Sequence, residues 1–220
     1  MKIIGISGKK QAGKTTVGNF LFGQYLRQNN LVQSFNIHKT TSELILEEDI
    51  DHPNCVYSFA DELKKFCHDM FNIPPYQLWG TNDQKNEFTQ YKWANMPLEP
   101  LSKIKKPEYM TAREFMQVVG TNIFRSIYDN VWVDKLFKEI DLDNPPLAFI
   151  TDVRYPNEVQ AIEARGGIVV RLTRAPFTDD HSGELALDNY DFKYVLDNAN
   201  MTVDEQNEQA FYLTREYIYG

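Results

Sequence analysis

Cysteine, histidine and positive charge are all scarce in this 220-residue chain, and each shortage removes a class of function. The two cysteines, Cys55 and Cys67, have no Cys-x-x-Cys spacing, so neither a zinc ribbon nor a redox pair is indicated. Cys67 shares a helical apolar stripe with Leu63, Phe66, Met70 and Phe71, and both thiols are expected to be reduced packing residues. The histidines are scattered at positions 38, 52, 68 and 181, and no Ser/His/Asp or Cys/His arrangement presents a covalent nucleophile. Acidic residues outnumber basic ones by 31 to 23, giving a formal charge of −8 that disfavours a broad nucleic-acid surface. No apolar run reaches the roughly 18 residues of a membrane span, and Met1-Lys2-Ile3-Ile4-Gly5 leads into a strand rather than a signal peptide. A cytoplasmic protein is expected, without internal repeats or low-complexity tracts.

What is present is a core and an alternation. Hydrophobic residues make up 42% of the chain, enough for one domain carrying an inserted region. Apolar runs predict strands at Ile3 to Ser7, Val56 to Phe59, Leu147 to Thr151, Ile168 to Leu172 and Tyr194 to Leu196. Helical spacing predicts helices at about Lys14 to Asn29, Asp61 to Phe71, Thr111 to Tyr128, Val131 to Ile140, Asn157 to Arg165 and Asp204 to Tyr219. Short buried strands between amphipathic helices imply an α/β fold with a parallel sheet covered on both faces. Thr111-Ala112-Arg113-Glu114 reads as a capping box, and Gly166-Gly167 as the stop of the helix that opens at Pro156. Two stretches break the alternation. Residues 36 to 54 are polar and acidic and read as an insertion, while Ile73 to Tyr109 holds five of the ten prolines together with Trp79 and Trp93. The second reads as an irregular but packed substrate-side segment.

The strongest chemical signal is Gly8-Lys9-Lys10-Gln11-Ala12-Gly13-Lys14-Thr15, a Gly-x-x-x-x-Gly-Lys-Ser/Thr pattern between the first strand and the first helix. Glycines at its two ends let backbone N–H groups turn toward phosphate oxygens, Lys14 supplies a point charge at the β/γ phosphates, and the Thr15 hydroxyl can ligate Mg²⁺. Lys9, Gln11, Ala12 and Thr16 complete the set of nucleotide-binding candidates. A second signal is the apolar strand ending Thr151-Asp152-Val153-Arg154. It places a carboxylate at the carboxyl edge of the sheet, where doubly wound folds bind ligands, and Asp152 can hold Mg²⁺ there through water. Arg154, two residues on, can reach a phosphoryl oxygen. Arg113 and Gln117 stand at i and i+4 on one helix face, either as a solvated face or as readers of a phosphate and a base edge. Arg171 and Arg174 leave a strand ahead of a polar loop containing His181 and Glu184, which suits a lid.

Taken in order, Ser58-Phe59-Ala60-Asp61-Glu62-Leu63-Lys64, Arg113-x-Phe115-Met116-Gln117-x-x-Gly120-Thr121, Asp152-Val153-Arg154-Tyr155-Pro156-Asn157-Glu158 and Gly166-Gly167 to Arg174 resemble the deoxynucleoside monophosphate kinases of tailed bacteriophages and prophages. The resemblance covers most of the chain after the glycine-rich loop. It implies a member of the P-loop nucleoside monophosphate kinase superfamily, with a parallel five-stranded core, an acceptor-side region at about 36–130 and a lid at about 173–192 within one domain. It implies further that Lys64, Arg113, Gln117 and Arg154 bind the acceptor, and that Arg174, His181 and Glu184 lie on the lid side, with Arg171 assisting Arg174. The reaction it implies is ATP- and Mg²⁺-dependent phosphorylation of a small deoxynucleoside 5′-monophosphate, in the host-cell cytoplasm if the chain is phage-encoded. Such a reaction needs no histidine base, because the acceptor phosphate already carries an anionic oxygen. Two alternatives stay open on the residues alone: a kinase acting on a hydroxyl of a modified base in DNA or of a metabolite, and a nucleotide switch with slow hydrolysis. The base accepted and the oligomeric state, homodimer included, are left open too.

Overall fold

The structure, a computed structural model, describes residues 1–39, 43, 55–96, 108–176 and 185–220. These divide into two compact units, Met1–Phe59 with Val133–Gly220, and Ala60–Trp132. The first unit is built on five parallel strands, β1 (Lys2–Ser7), β2 (Val56–Tyr57), β5 (Leu147–Val153), β6 (Ile168–Leu172) and β7 (Tyr194–Leu196), in the order β2-β5-β1-β6-β7. All five expected strands are therefore present, with β2 shorter than its apolar run and β5 carried on through Asp152 to Val153. Helices α1 (Lys14–Gln28), α6 (Val131–Asp143), α7 (Pro156–Ala164) and α8 (Val203–Tyr219) accompany them.

Side-chain alternation on the strands explains the two covered faces. Ile4, Ile6, Leu147 and Phe149 pack with Val17, Leu21 and Phe22 of α1 and Ala210 and Ile218 of α8. Ile3, Ala148 and Ile150 pack instead with Val133, Leu136, Phe137 and Ile140 of α6 and Val159 and Ile162 of α7. Because successive residues of a strand face opposite ways, strands buried on both faces become continuous apolar runs, which is how they read in the sequence. The helix expected from about Asp204 begins one residue earlier, at Val203, because Thr202 caps it through a complete box with Glu205. The first strand is also stitched to α8: Lys2 Nζ donates to the Ile218 carbonyl at 3.0 Å, and the Ile3 N–H to the Tyr217 hydroxyl at 3.0 Å. Cys55 and Cys67 are buried and in no disulfide, with thiols pushed up to about 12 by burial. Among the described residues no helix is long and apolar enough to cross a membrane.

The second unit contains most of α2 (Phe59–Phe71), then α3 (Pro75–Trp79), α4 (Asn82–Lys85), an antiparallel pair β3 (Phe88–Lys92) and β4 (Tyr109–Thr111), α5 (Ala112–Gln117) and a π-helix (Val118–Arg125). Its core joins Cys67, Ile73, Leu78, Trp93, Met110 and Phe115, with the Phe71 ring edge-on to Phe115 at 4.9 Å and to Tyr91 at 5.5 Å. Two expectations are corrected here. The described first part of the proline-rich stretch, residues 73–96, is packed but regular, because Pro74 and Pro75 open α3, where a missing N–H costs nothing, and Thr81 and Gln84 cap α4 reciprocally. The single helix expected from Thr111 to Tyr128 changes to π geometry after Gln117. The Gly120 carbonyl there accepts a hydrogen bond from the Trp132 indole at 3.0 Å, a side-chain partner within the widened turn. Most of the 36–54 insertion, and residues 97–107, lie outside the described residues.

Candidate active site

The glycine-rich loop is held from below. Strand β1 ends at Ser7, the Ala12 N–H returns to the Lys9 carbonyl at 3.1 Å, and the Val17 N–H to that of Gly13 at 3.0 Å begins α1. Gly13 stands at φ 98°, and a Cβ built on it would lie 2.7 Å from Gln206 Oε1, so both backbone and space exclude a larger residue. Asn198, fully buried after β7, donates from Nδ2 to the Ala12 carbonyl at 2.9 Å and to Gln206 Oε1 at 2.6 Å. Two buried amides thus set the height of the loop. Lys14 is buried, and its Nζ donates to the Gly8 and Lys9 carbonyls at 2.7 Å each, which ties the ammonium to the loop's own rim. Thr15 is exposed, Thr16 half-buried, and Gln11 is exposed at φ 60°.

Strand pairing brings Asp152 to the same edge. Ser7 pairs with Val153 of β5 on one side and with Arg171 of β6 on the other, so the residue before the loop, the residue after Asp152 and Arg171 share one level. Gly18 lets α1 lie against β5, since a Cβ there would meet Thr151 Cγ2 at 2.4 Å. Both carboxylate oxygens of Asp152 are engaged: Oδ2 accepts from Ser58 Oγ and Oδ1 from the Phe59 N–H, each at 2.7 Å. A carboxylate oxygen retains a further lone pair after one such bond, so this fixes orientation without exhausting the capacity to hold a hydrated cation.

The arginines on this edge are braced. Arg171 donates to Ser7 Oγ at 3.0 Å, lies 3.4 Å from Asp188 Oδ1, and stands over the Phe192 ring at 5.5 Å. Asp188 also pairs with Lys9 of the loop. The Arg174 guanidinium donates to the Asn198 carbonyl at 2.8 and 3.1 Å and to that of Met201, and its N–H reaches Asn198 Oδ1 at 2.8 Å. In this arrangement Arg174 organises the turn that carries Asn198. Arg154 is half-buried, its N–H fixed by Glu158 Oε2 at 2.6 Å in the box that caps α7. His181 and Glu184, within the expected lid, lie outside the described residues.

The acceptor-side candidates lie in the second unit. Arg113, near the start of α5, donates from Nη2 to Asn82 Oδ1 at 2.8 Å and from Nε to Asn86 Oδ1 at 3.0 Å. Lys64 pairs with Asp61 one helical turn back at 2.8 Å, with its Nζ 6.0 Å from the Trp79 ring centroid. Gln117 is half-buried at the end of α5. Of the aromatics that could stack on a base, Trp93 is core, whereas Tyr76, Trp79 and Phe88 are exposed. Sequence reading missed Ser58, Asp188, Asn198 and Gln206 as parts of the site. The polar Asn198-Ala199-Asn200 just after the last strand was the available signal, but burial of an amide leaves no mark in a sequence.

The parts fit a nucleoside triphosphate with Mg²⁺: a glycine with positive φ at the turn into a 15-residue helix, a lysine tethered at the loop, and an oriented carboxylate on the neighbouring strand. The family described as deoxynucleotide monophosphate kinase matches residues 2–208. A protein of Acanthamoeba polyphaga mimivirus, provisionally named a deoxynucleotide monophosphate kinase, is 26% identical over 224 aligned positions, covering 93% of this chain and 92% of its own. The deoxynucleoside-5′-monophosphate kinase of Escherichia phage T5 is 39% identical over 51 residues, 23% of this chain and 20% of its own. The chain belongs to the deoxynucleotide monophosphate kinase family and, as a member, is a phosphotransferase.

Proposed function

We propose that the protein transfers the γ-phosphoryl group of ATP to the 5′-phosphate of a deoxynucleoside monophosphate, giving ADP and the diphosphate. The observation that carries this reading is the register of β1 and β5, which puts the loop bearing Lys14 and the carboxylate of Asp152 on one edge of one sheet. A bond forms between an anionic oxygen of the acceptor phosphate and the γ-phosphorus as the bond to the β–γ bridging oxygen breaks, so no general base is needed. Lys14, leaving or sharing its loop carbonyls, neutralises charge at the β/γ bridge. Thr15 and Asp152 would hold Mg²⁺, which supplies charge neutralisation across the phosphates when bound; Ser58 and the Phe59 N–H keep Asp152 aimed. Arg154 contributes charge toward the transferring group, while Arg171 and Arg174 serve first as braces of the loop.

Lys64, Arg113 and Gln117 are assigned to the acceptor. Free mononucleotides, not DNA, are the expected substrates, since a formal charge of −8 argues against the counterion release that polymer binding needs. The viral and phage origins of the named relatives are consistent with work in a host cytoplasm. The test is ADP release with and without a panel of deoxynucleoside monophosphates, the product identified by chromatography. Diphosphate formed only with a monophosphate supports the reading. ADP release indifferent to any acceptor, or label from γ-labelled ATP appearing in DNA, overturns it.

A further inference from the structure

Arg174 holds both ends of the turn that joins β7 to α8. Its Nε and Nη2 donate to the Asn198 carbonyl and its Nη2 also to that of Met201, so three of the five guanidinium N–H donors go to main-chain carbonyls. The Met201 N–H closes the same turn on the Asn198 carbonyl at 3.3 Å, and Thr202 then caps α8. Gln206, whose N–H bonds the Thr202 carbonyl at 3.0 Å, is thereby placed against Gly13, where an added Cβ would meet its amide. The Asn198 side chain carries the connection on to the loop, and its orientation is forced. Oδ1 accepts from the Arg174 main-chain N–H at 2.8 Å, a group that can only donate, and Nδ2 donates to the Ala12 carbonyl at 2.9 Å, a group that can only accept. The same Nδ2 gives to Gln206 Oε1 at 2.6 Å, which orients the second amide in turn. Ala12, Asn198 and Gln206 are each at most 1% exposed, so no bulk water is at hand to replace a lost partner.

We infer that Arg174 is a positioning residue for the donor nucleotide, acting through Asn198 on the peptide between Ala12 and Gly13 rather than by its charge on the transferring group. This rests on the reading that the glycine-rich loop binds a nucleoside triphosphate. In a planar trans peptide the carbonyl and the N–H point opposite ways, so the bond that draws the Ala12 carbonyl toward Asn198 turns the Gly13 N–H away from it. That N–H is one of the loop donors a phosphate oxygen would meet. Arg174, two residues beyond the end of β6, thus sets the direction of a donor that it does not touch.

The experiment is a double-mutant cycle on MgATP affinity, measured by titration calorimetry without acceptor on wild type, R174A, N198A and the double variant, with kcat, acceptor KM and thermal melts alongside. R174A and N198A should each raise the ATP Kd roughly 3- to 10-fold, and the double variant by no more than the larger single loss, because both break the same relay. Acceptor KM should stay near wild type throughout. R174K should not rescue R174A, since one ammonium cannot span the Asn198 and Met201 carbonyls as the planar guanidinium does. Should R174A melt below the assay temperature, R174K takes its place in the cycle with the same expectation. Losses that multiply in the double variant, an R174A enzyme with the wild-type ATP Kd, or a fall in kcat that R174K restores would each overturn the inference while the kinase reading stands. Wild type that binds no MgATP would instead sink the reading beneath it.

Discussion

The two units hold their cations in opposite ways. In the first, Lys14 sits between two loop carbonyls, Arg174 on two more, and Arg171 between a hydroxyl, a carboxylate and a ring. In the second, side chains do the holding: Arg113 is gripped by the Asn82 and Asn86 carboxamides and Lys64 by Asp61 one helical turn back. The first arrangement is preorganised by the backbone, so a phosphate entering it meets charges already in place. The second is set by side chains on short helices, so binding there should depend on how those side chains are held. Losses in the first unit should therefore appear mainly in turnover and ATP binding, and losses in the second mainly in acceptor KM.

Breaking the first side of that contrast should have the largest effect. Lys14→Ala is expected to lower phosphoryl transfer by about 10³-fold, measured as coupled ADP release, because it removes charge at the breaking bond. The protein should stay folded, since the chain's apolar clusters do not include Lys14; near-normal turnover would remove the loop from the mechanism. Asp152→Asn should follow, lowering kcat by about 10²-fold with a smaller change in ATP affinity. The amide can be accommodated: its oxygen can accept from the Phe59 N–H while its NH₂ donates to Ser58 Oγ, the hydroxyl turning to accept. A normal turnover and unchanged Mg²⁺ dependence would reduce Asp152 to a fastener of the α2 start.

The other side of the contrast is tested by Arg113→Ala, expected to raise the monophosphate KM roughly 10- to 50-fold and to leave ATP binding nearly alone. Equal losses for both substrates would show that α5 is not on the acceptor side. The smallest effect should come from Asn198→Ala, which leaves the Ala12 carbonyl without its buried donor. A loss of about 1–3 kcal/mol in unfolding free energy, with a few-fold rise in ATP KM, is expected from denaturant titration and kinetics. A stability loss with unchanged ATP KM would mean that the loop does not rely on this support.

The sheet was legible because its strands are short, apolar on both faces and separated by helices with their own period. Ile3 to Ser7 and Ile168 to Leu172 needed no tertiary information. The loop was legible because glycine, lysine and threonine at fixed spacing have few other uses. The second unit was harder to read. Prolines 74 and 75 open a helix as readily as they interrupt one, and only the residues beside them decide which. Strands β3 and β4 are partly exposed and pair across residues 93–108, so neither carries a strong apolar period. Likewise the roles of Asn198 and Gln206 arise from what long-range packing puts beside them, and a polar residue reads the same in a sequence whether water or a carbonyl is its partner.

The support of the glycine-rich loop by Gln206 and Asn198 has a consequence for the protein while it is being made. Residues 8–15 leave the ribosome about 190 residues ahead of the side chains that fix their height, and the α8 contacts to Lys2 and Ile3 come later still. A nascent or truncated chain that stops before Asn198 carries the whole glycine-rich loop without either supporting amide. It should not be retained by immobilised ATP that holds the full chain. The loop in this sense waits for side chains made long after its own residues.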